Sequence, residues 1–276
     1  MTLYGVDLSS WKPVKDIDAV KAAGNEFLIT KCTGGLTYAN PLYADQIGKA
    51  RSAGMLVGHF HYLHEASLNP ASTQAGYRTP ERMKAEADWF LANVDIQPGE
   101  IVALDVEDPD VTGNLSNCVL VWCEYVATKL GFLPFIYTYP YYIKERNLTN
   151  PELTDYPLWY AEYNEPMVNS PAPWGHVTLR QYTATAWVSG ISTPGQPGDV
   201  DRNTFEGTHD DWRALGKPGD TPTNPSPIIT PETNWGEGSK GRVVHRAETI
   251  LVINDEGKTY IGVRIDGNQL PWQEVF

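Results

Sequence analysis

The sequence is poor in cysteine, in basic side chains and in long apolar runs, and each shortage excludes a class of protein. Its 3 cysteines cannot form a disulfide framework or complete a zinc site, so we expect buried free thiols and no metal. Lysine and arginine total 21 against 34 acidic residues, which disfavours nucleic acid as a partner because phosphate contacts need clustered basic side chains. No segment approaches the ~18 apolar residues of a membrane span, and the first residues lack the pattern of a signal peptide. We therefore expect the protein to be synthesised in the cytosol and not to insert into a membrane.

Aromatic and apolar residues are abundant by comparison. Hydrophobic residues make up 41% of the 276, with 9 Trp and 15 Tyr, so the chain can bury a core of substantial size. Tryptophan and tyrosine rings pack in cores, and they also suit the flat faces of sugars.

Short β-rich segments alternate with helical patterns through the first half of the chain. Helical periodicity is found at 40–53, 80–94 and 114–130, and the expected strands are 3–8, 27–32, 56–63, 101–106, 134–139, 158–163, 177–183 and 199–205. This order gives five strand–helix units followed by three strands with little helix. Eight strands can close a barrel. The alternative is an open doubly wound sheet, but this sequence lacks the glycine-rich phosphate loop that typically follows the first strand of such a sheet. The sequence predicts an α/β fold, a TIM-like barrel over residues 1–215.

The composition changes after residue 215. Residues 216–233 contain five prolines and are predicted to be an extended linker. In the remaining 234–276, the segments 249–253 and 259–265 flank a turn and predict a β-hairpin. A unit this small is marginally stable alone, so we expect it to dock on the barrel or on a second chain, which would make a homo-oligomer.

Four acidic residues fall at the ends of predicted strands, where barrel enzymes place their working groups. Asp7 ends the first strand, Asp105 and Glu107 end the fourth, and Asp201 lies in the last. Asp105 and Glu107 are two residues apart and should point to the same side. Their repulsion should keep a proton on one of them, as a general acid for glycosidic bonds requires. The alternative is that these acids only cap helices or hold loops.

Five motifs, in order and with suitable spacing, make a more specific pattern: YGVDLSSW (4–11), ALDVED (103–108), LWYAEY (158–163), RQYT (180–183) and VDRNTF (200–205). They resemble the motifs of glycoside hydrolase family 25, the muramidases or lysozymes common among bacteriophage endolysins. The segments 27–38 and 53–63 resemble the family's second and third strands. The resemblance covers about residues 3–207 and does not extend to the C-terminal residues.

The resemblance implies hydrolysis of the β-1,4 bond between N-acetylmuramic acid and N-acetylglucosamine in the glycan strands of bacterial peptidoglycan, without a cofactor. It implies that Glu107 is the general acid, that Asp105 assists it, and that Asp7 and Asp201 complete the acidic site. The family usually has glutamine shortly after its first D-x-S, where this chain has Trp11-Lys12, so one substrate contact differs.

Aromatic residues near the strand ends are the candidate sugar contacts. The predicted substrate-binding residues are Trp11, Tyr62, Trp159, Tyr163, Gln181 and Tyr182. Core packing is the alternative for each ring, because such rings bury a large area.

Three other functions compete with this interpretation. His59 and His61 form an H-x-H pattern, followed by His64, that could bind metal in a metal-dependent barrel hydrolase, although the remaining histidines supply no further ligands. A chitinase-like glycosidase also uses D-x-E on its fourth strand, but with additional acids upstream. A non-catalytic sugar-binding barrel is the third alternative.

The endolysin resemblance also implies a location and a use. We expect the protein to accumulate in the host cytoplasm and to act on the cell wall through a separate membrane lesion. The C-terminal unit would bind the wall or associate chains.

Overall fold

The computed structural model describes residues 1–63, 79–109 and 115–218, and beyond them the backbone of four strands between residues 247 and 274. The chain divides into two compact units, 1–219 and 220–276. No helix within the described residues combines the length and apolar character needed to cross a membrane.

The first unit is a mixed α/β structure of nine strands and six α-helices within its described residues. Its strands are β1 (Thr2–Leu8), β2 (Phe27–Gly34), β3 (Tyr38–Ala39), β4 (Leu56–Tyr62), β5 (Ile101–Asp105), β6 (Phe135–Thr138), β7 (Leu158–Ala161), β8 (Leu179–Ala186) and β9 (Val200–Glu206). Its helices are α1 (Ile17–Ala22), α2 (Tyr43–Ser52), α3 (Pro80–Asn93), α4 (Ser116–Leu130), α5 (Pro140–Glu145) and α6 (His209–Leu215), with a 3₁₀ helix at Pro151–Asp155.

Eight of these strands close into a barrel, in the order β1-β9-β8-β7-β6-β5-β4-β2, and β1 pairs with β2 to complete the ring. The strands β1, β2 and β4 to β8 are parallel, whereas β9 is antiparallel to both of its neighbours. The short strand β3 adds to the edge of β2. The predicted eight-stranded barrel with five β/α units is therefore confirmed. The direction of β9 and the presence of β3 were not predicted.

Strands β2 and β4 to β7 bury almost every residue on both faces, as strands covered by helices do, whereas β8 and β9 are only partly buried. Phe27, Phe60 and Phe135 point into the barrel and pack in one cluster. The alternate positions, such as Leu28 and Val57, pack against the helices in a second cluster. The three cysteines are free thiols, and all are buried as expected.

Capping residues and periodicity in the sequence predicted the long helices well and the short helices poorly. Helix α3 begins as predicted, with the Thr79 side chain accepting a hydrogen bond from the Arg82 N–H at 3.2 Å, and α4 ends at the left-handed Gly131. The predicted start of α2 was wrong, because Asn40 forms a turn in which its side chain accepts from the Leu42 N–H. Helices α1, α5 and α6 have six or seven residues, too few for a clear periodicity.

The second unit contains the predicted hairpin. Strands β10 (Ala247–Ile253) and β11 (Thr259–Ile265) pair in antiparallel fashion, and the short strands β12 (Asn268–Gln269) and β13 (Gln273–Glu274) also pair with β11. Most of the predicted linker lies outside the described residues. Its first residue, Gly216, is held to the barrel because its carbonyl accepts a hydrogen bond from the Gly99 N–H at 3.0 Å.

Candidate active site

A cavity of about 380 Å³ opens at one end of the barrel. The four acids predicted as catalytic, Asp7, Asp105, Glu107 and Asp201, all line it. Because Asp7 and Asp201 are paired in register across β1 and β9, residues far apart in the chain face one another. The cavity therefore gathers carboxyl groups from three strands of the barrel.

Asp201 reaches this end of the barrel by a route that differs from our expectation. We placed all four acids at the carboxyl ends of strands. Asp201 is instead the second residue of β9, and β9 runs against β1. The amino end of an antiparallel strand lies at the same rim as the carboxyl ends of its parallel neighbours. Asp201 thus lines the cavity as expected, but it does so from the amino end of its strand.

Asp7 is held by two side-chain amides on the same oxygen. Its Oδ2 accepts hydrogen bonds from Gln181 Nε2 at 3.0 Å and from Asn203 Nδ2 at 2.7 Å. Since the Trp159 indole can only donate, its 2.8 Å bond to Asn203 Oδ1 requires that Asn203 turn its N–H groups toward Asp7. The hydroxyl of Tyr163 donates to Gln181 Oε1 at 2.6 Å and orients that amide in the same way.

Burial raises the pKa values of three of these acids. The pKa of Asp7 rises to about 6 through burial, against the hydrogen bonds from Asn203 and Gln181. Burial and then the charge of Asp7 raise the pKa of Glu107 to about 7, opposed by a hydrogen bond with Tyr137. Burial and the charges of Asp7 and Glu107 raise the pKa of Asp201 to about 8.

These three acids interact, so their protons leave in steps that belong to the cluster. Asp7 ionises first because two N–H donors stabilise its carboxylate. Glu107 and Asp201 then keep protons near neutral pH. We expected Asp105 to be the neighbour that keeps Glu107 protonated, but the charge that raises the Glu107 pKa most is that of Asp7.

Five of the six predicted substrate-binding residues line the cavity: Trp11, Tyr62, Trp159, Tyr163 and Gln181. Trp11 and Tyr163 are 84% and 53% exposed, so their rings are open to a ligand. Trp159 is 2% exposed and packs against Phe60 and Tyr137. Its ring forms the floor of the cavity and leaves little surface for stacking on a sugar.

Tyr182 does not line the cavity, which disagrees with its prediction as a sugar contact. It follows the inward-facing Gln181 on β8 and therefore points to the outer side of the barrel. There its ring packs edge-on against Tyr4, with 6.5 Å between the ring centroids.

Three residues of the site were missed in the sequence. Tyr137 and Lys31 line the cavity, and Asn203 orients Asp7 from below. The Lys31 ammonium lies 4.3 Å from the centroid of the Tyr62 ring and lowers the pKa of Glu107. A lysine in the middle of the otherwise uncharged strand β2 was the signal for Lys31, whereas the other two resemble ordinary strand residues.

The histidines of the H-x-H pattern lie outside this cavity. His59 and His61 face the helices from the outer side of β4, where both are fully buried. His59 Nε2 pairs with Glu100 at 2.9 Å and His61 Nε2 with Glu86 at 3.2 Å. The described residues contain no group of three or more His, Cys, Asp or Glu side chains arranged to hold a metal ion. His64 falls outside the described part of the chain. Both histidines are therefore engaged in structural hydrogen bonds with buried carboxyl groups, and the metal-hydrolase alternative loses its motif.

Comparison with known proteins gives a consistent result. The sequence profile described as "Glycosyl hydrolases family 25" matches residues 6–191. The autolytic lysozyme of Clostridium acetobutylicum is 29% identical over 203 residues, which cover 74% of this chain and 56% of that protein. The chain thus spans little more than half the length of this relative.

Two solved structures share the fold. The bacterial lysozyme from Streptomyces coelicolor superposes with a TM-score of 0.64 at 24% identity, covering 78% of this chain and 96% of that one. The CTP1L endolysin gives a TM-score of 0.63 at 23% identity, covering 76% and 69% of the two chains.

Proposed function

The chain belongs to glycosyl hydrolase family 25, and on that premise we propose that it hydrolyses the β-1,4 bond between N-acetylmuramic acid and N-acetylglucosamine in bacterial peptidoglycan. The observation that carries the proposal is the cluster of Asp7, Glu107 and Asp201, in which burial keeps protons on carboxyl groups near neutral pH. The lysozyme from Clostridium acetobutylicum supports the same assignment.

In the proposed reaction, Glu107 donates its proton to the glycosidic oxygen as the bond to the anomeric carbon breaks. The ionised Asp7 then stabilises the positive charge that develops on the sugar ring, as paired carboxyls do in glycosidases. Asp105 assists from beside Glu107, and Asp201 completes the acidic wall beside Asp7. These residues require no cofactor.

The open rings at the mouth are the proposed sugar contacts. Trp11 and Tyr163 present exposed faces, and Tyr62 lines the same cavity with the Lys31 ammonium over its ring. Gln181 has both ends of its amide engaged, by Tyr163 and by Asp7. Its proposed role is therefore to position Asp7.

The identity of the sugar end that is released tests this function. Purified peptidoglycan digested with the enzyme should gain reducing ends, and borohydride reduction should convert them to muramitol. Glucosaminitol would instead indicate cleavage of the other glycosidic bond, and new free amino groups without reducing ends would indicate an amidase or peptidase. Comparable release from chitin would favour the chitinase-like alternative, and loss of activity in a chelator would favour a metal hydrolase.

We further propose a lytic role of the phage-endolysin type, with accumulation in the host cytoplasm before action on the wall. The structural similarity to the CTP1L endolysin supports this role. Residues 234–276 are the proposed accessory domain for wall binding or chain association. A larger fraction of the full chain than of a chain ending at Gly219 should sediment with purified walls. Alternatively, the full chain should form a larger oligomer in solution than the shortened chain. Equal behaviour of the two chains in both measurements would remove both roles of the accessory domain.

A further inference from the structure

A second cavity of about 640 Å³ continues from the catalytic one on the side of Glu107. The two cavities share Glu107, Tyr137 and Tyr163, but neither Asp7 nor Asp201 lines the second. We call this second cavity the tyrosine groove, because its lining continues along Tyr139 and Tyr141 at the start of α5. Its size is in the range of sites that hold a ligand of several rings.

The position of the tyrosine groove determines which part of the substrate it receives. The general acid protonates the oxygen of the leaving sugar, whereas the ionised carboxylate faces the anomeric carbon on the other side of the bond. A groove that begins at Glu107 and leads away from Asp7 therefore receives the leaving-group half of the glycan.

Lys144, on α5, is the one basic side chain among the residues that line the tyrosine groove. It is exposed, and no hydrogen bond or salt bridge engages it within the described part of the chain. Its neighbour Glu145 pairs with Arg146 at 3.1 Å. This free cation stands out because residues 1–216 carry a net charge of −11.

Besides Glu107, the groove contains one other acid, and that acid is already engaged. Glu162 is 4% exposed, and it accepts hydrogen bonds from the Asn164 N–H at 3.1 Å and from the side chain of Asn169. Its carboxylate is thus satisfied by neutral amide donors. Lys144 therefore remains available to an anionic group of a ligand.

We infer that Lys144 binds a carboxylate on the leaving-group half of the substrate and makes the tyrosine groove selective for acidic glycan over neutral glycan. The inference rests on the proposed function. In peptidoglycan the leaving sugar is a neutral N-acetylglucosamine, and the next unit is N-acetylmuramic acid. That unit carries either a free lactyl carboxylate or a stem peptide with its own carboxylates, and both present the same chemistry to Lys144.

Three substrates and two variants test the inference. The substrates are glycan with its stem peptides, glycan stripped by an amidase to leave the lactyl carboxylate, and stripped glycan whose carboxyls are coupled to methylamine as neutral amides. Lys144→Met removes the charge and keeps most of the length of the side chain, and Lys144→Arg keeps the charge. We expect Lys144→Met to raise KM about threefold to fivefold on a charged substrate at unchanged kcat, as loss of one exposed ion pair implies.

On the neutral amide, wild type and Lys144→Met should have equal KM values, and Lys144→Arg should match wild type throughout. An effect on the peptide-bearing glycan alone assigns the carboxylate to the stem, and an effect on the stripped glycan alone assigns it to the lactyl group. An effect on both shows that Lys144 accepts either carboxylate. Added salt should reduce the difference. The inference is overturned if KM is unchanged on all three substrates, or if it rises equally on the neutral one. No reducing ends from any substrate with wild type would refute the proposed function itself.

Discussion

Replacing Glu107 with glutamine should lower kcat by about 10²–10⁴-fold, the contribution typical of a positioned general acid. Glutamine fills the same space but has no proton to give to the leaving oxygen. The wild-type rate should also fall as pH rises through the Glu107 pKa of about 7, since the acid then loses its proton. Both effects are measured as the rate of reducing-end release from purified peptidoglycan at several pH values.

Glu26→Gln is the matched control for this variant. Glu26 lies just before β2, at the end of the barrel opposite the cavity, and pairs with His209 at 2.9 Å. It should keep the wild-type rate and pH profile. If Glu107→Gln retained more than a tenth of the wild-type kcat, or kept the same decline above pH 7, another group would have to be the acid.

Replacing Asp201 with asparagine should make the protein more stable at pH 7, while impairing the site. The folded state raises the pKa of Asp201 from 3.8 to about 8, so it binds a proton that the unfolded chain has released. Stability linked to this group is therefore highest below pH 4 and is lost as pH rises toward 8. Removing the titration should restore roughly 2–4 kcal/mol at pH 7, which raises the Tm by several degrees.

The stability gain should depend on pH, and this dependence separates it from a general packing effect. Near pH 4 the wild-type aspartic acid is protonated in the folded protein, so the Tm values of wild type and Asp201→Asn should converge. Asp210→Asn makes the same change at an exposed carboxylate of α6 that pairs with Arg213 at 3.2 Å, and it should not raise the Tm. An equal gain at pH 4 and pH 7 would contradict the electrostatic explanation.

The barrel was predictable because its strands are short, apolar and separated by helices with clear capping signals. Thr79 and Gly131 marked helix ends correctly, since capping depends on neighbouring residues alone. The direction of β9 was not predictable in this way, because strand direction follows from pairing with β1 and β8, which are distant in sequence. The family resemblance pointed to Asp201, which lines the cavity, although the direction of β9 was not predicted.

For the site as well, features that depend on neighbouring residues were predictable, and features that depend on residues distant in the sequence were not. The carboxylates were found because barrel enzymes place such groups at one rim. The alternation of side chains along β8 decides that Gln181 faces inward and Tyr182 outward, but the sequence alone did not fix which of the two does so. The role of Asn203 depends on contacts with Trp159 and Asp7, residues that only the closed barrel brings together.

The pairing of the first barrel strand with the last determines when activity can arise during synthesis. Asp7 is made near the start of translation, but its register partner Asp201 and its donor Asn203 lie on β9. A nascent chain that stops short of β9 has an open barrel, and its Asp7 lacks both the neighbouring Asp201 and the hydrogen bond from Asn203. Contacts between residues so distant in the chain carry a high loop-closure entropy and form slowly. The proposed active site therefore cannot be complete on the ribosome until nearly the whole first unit has emerged.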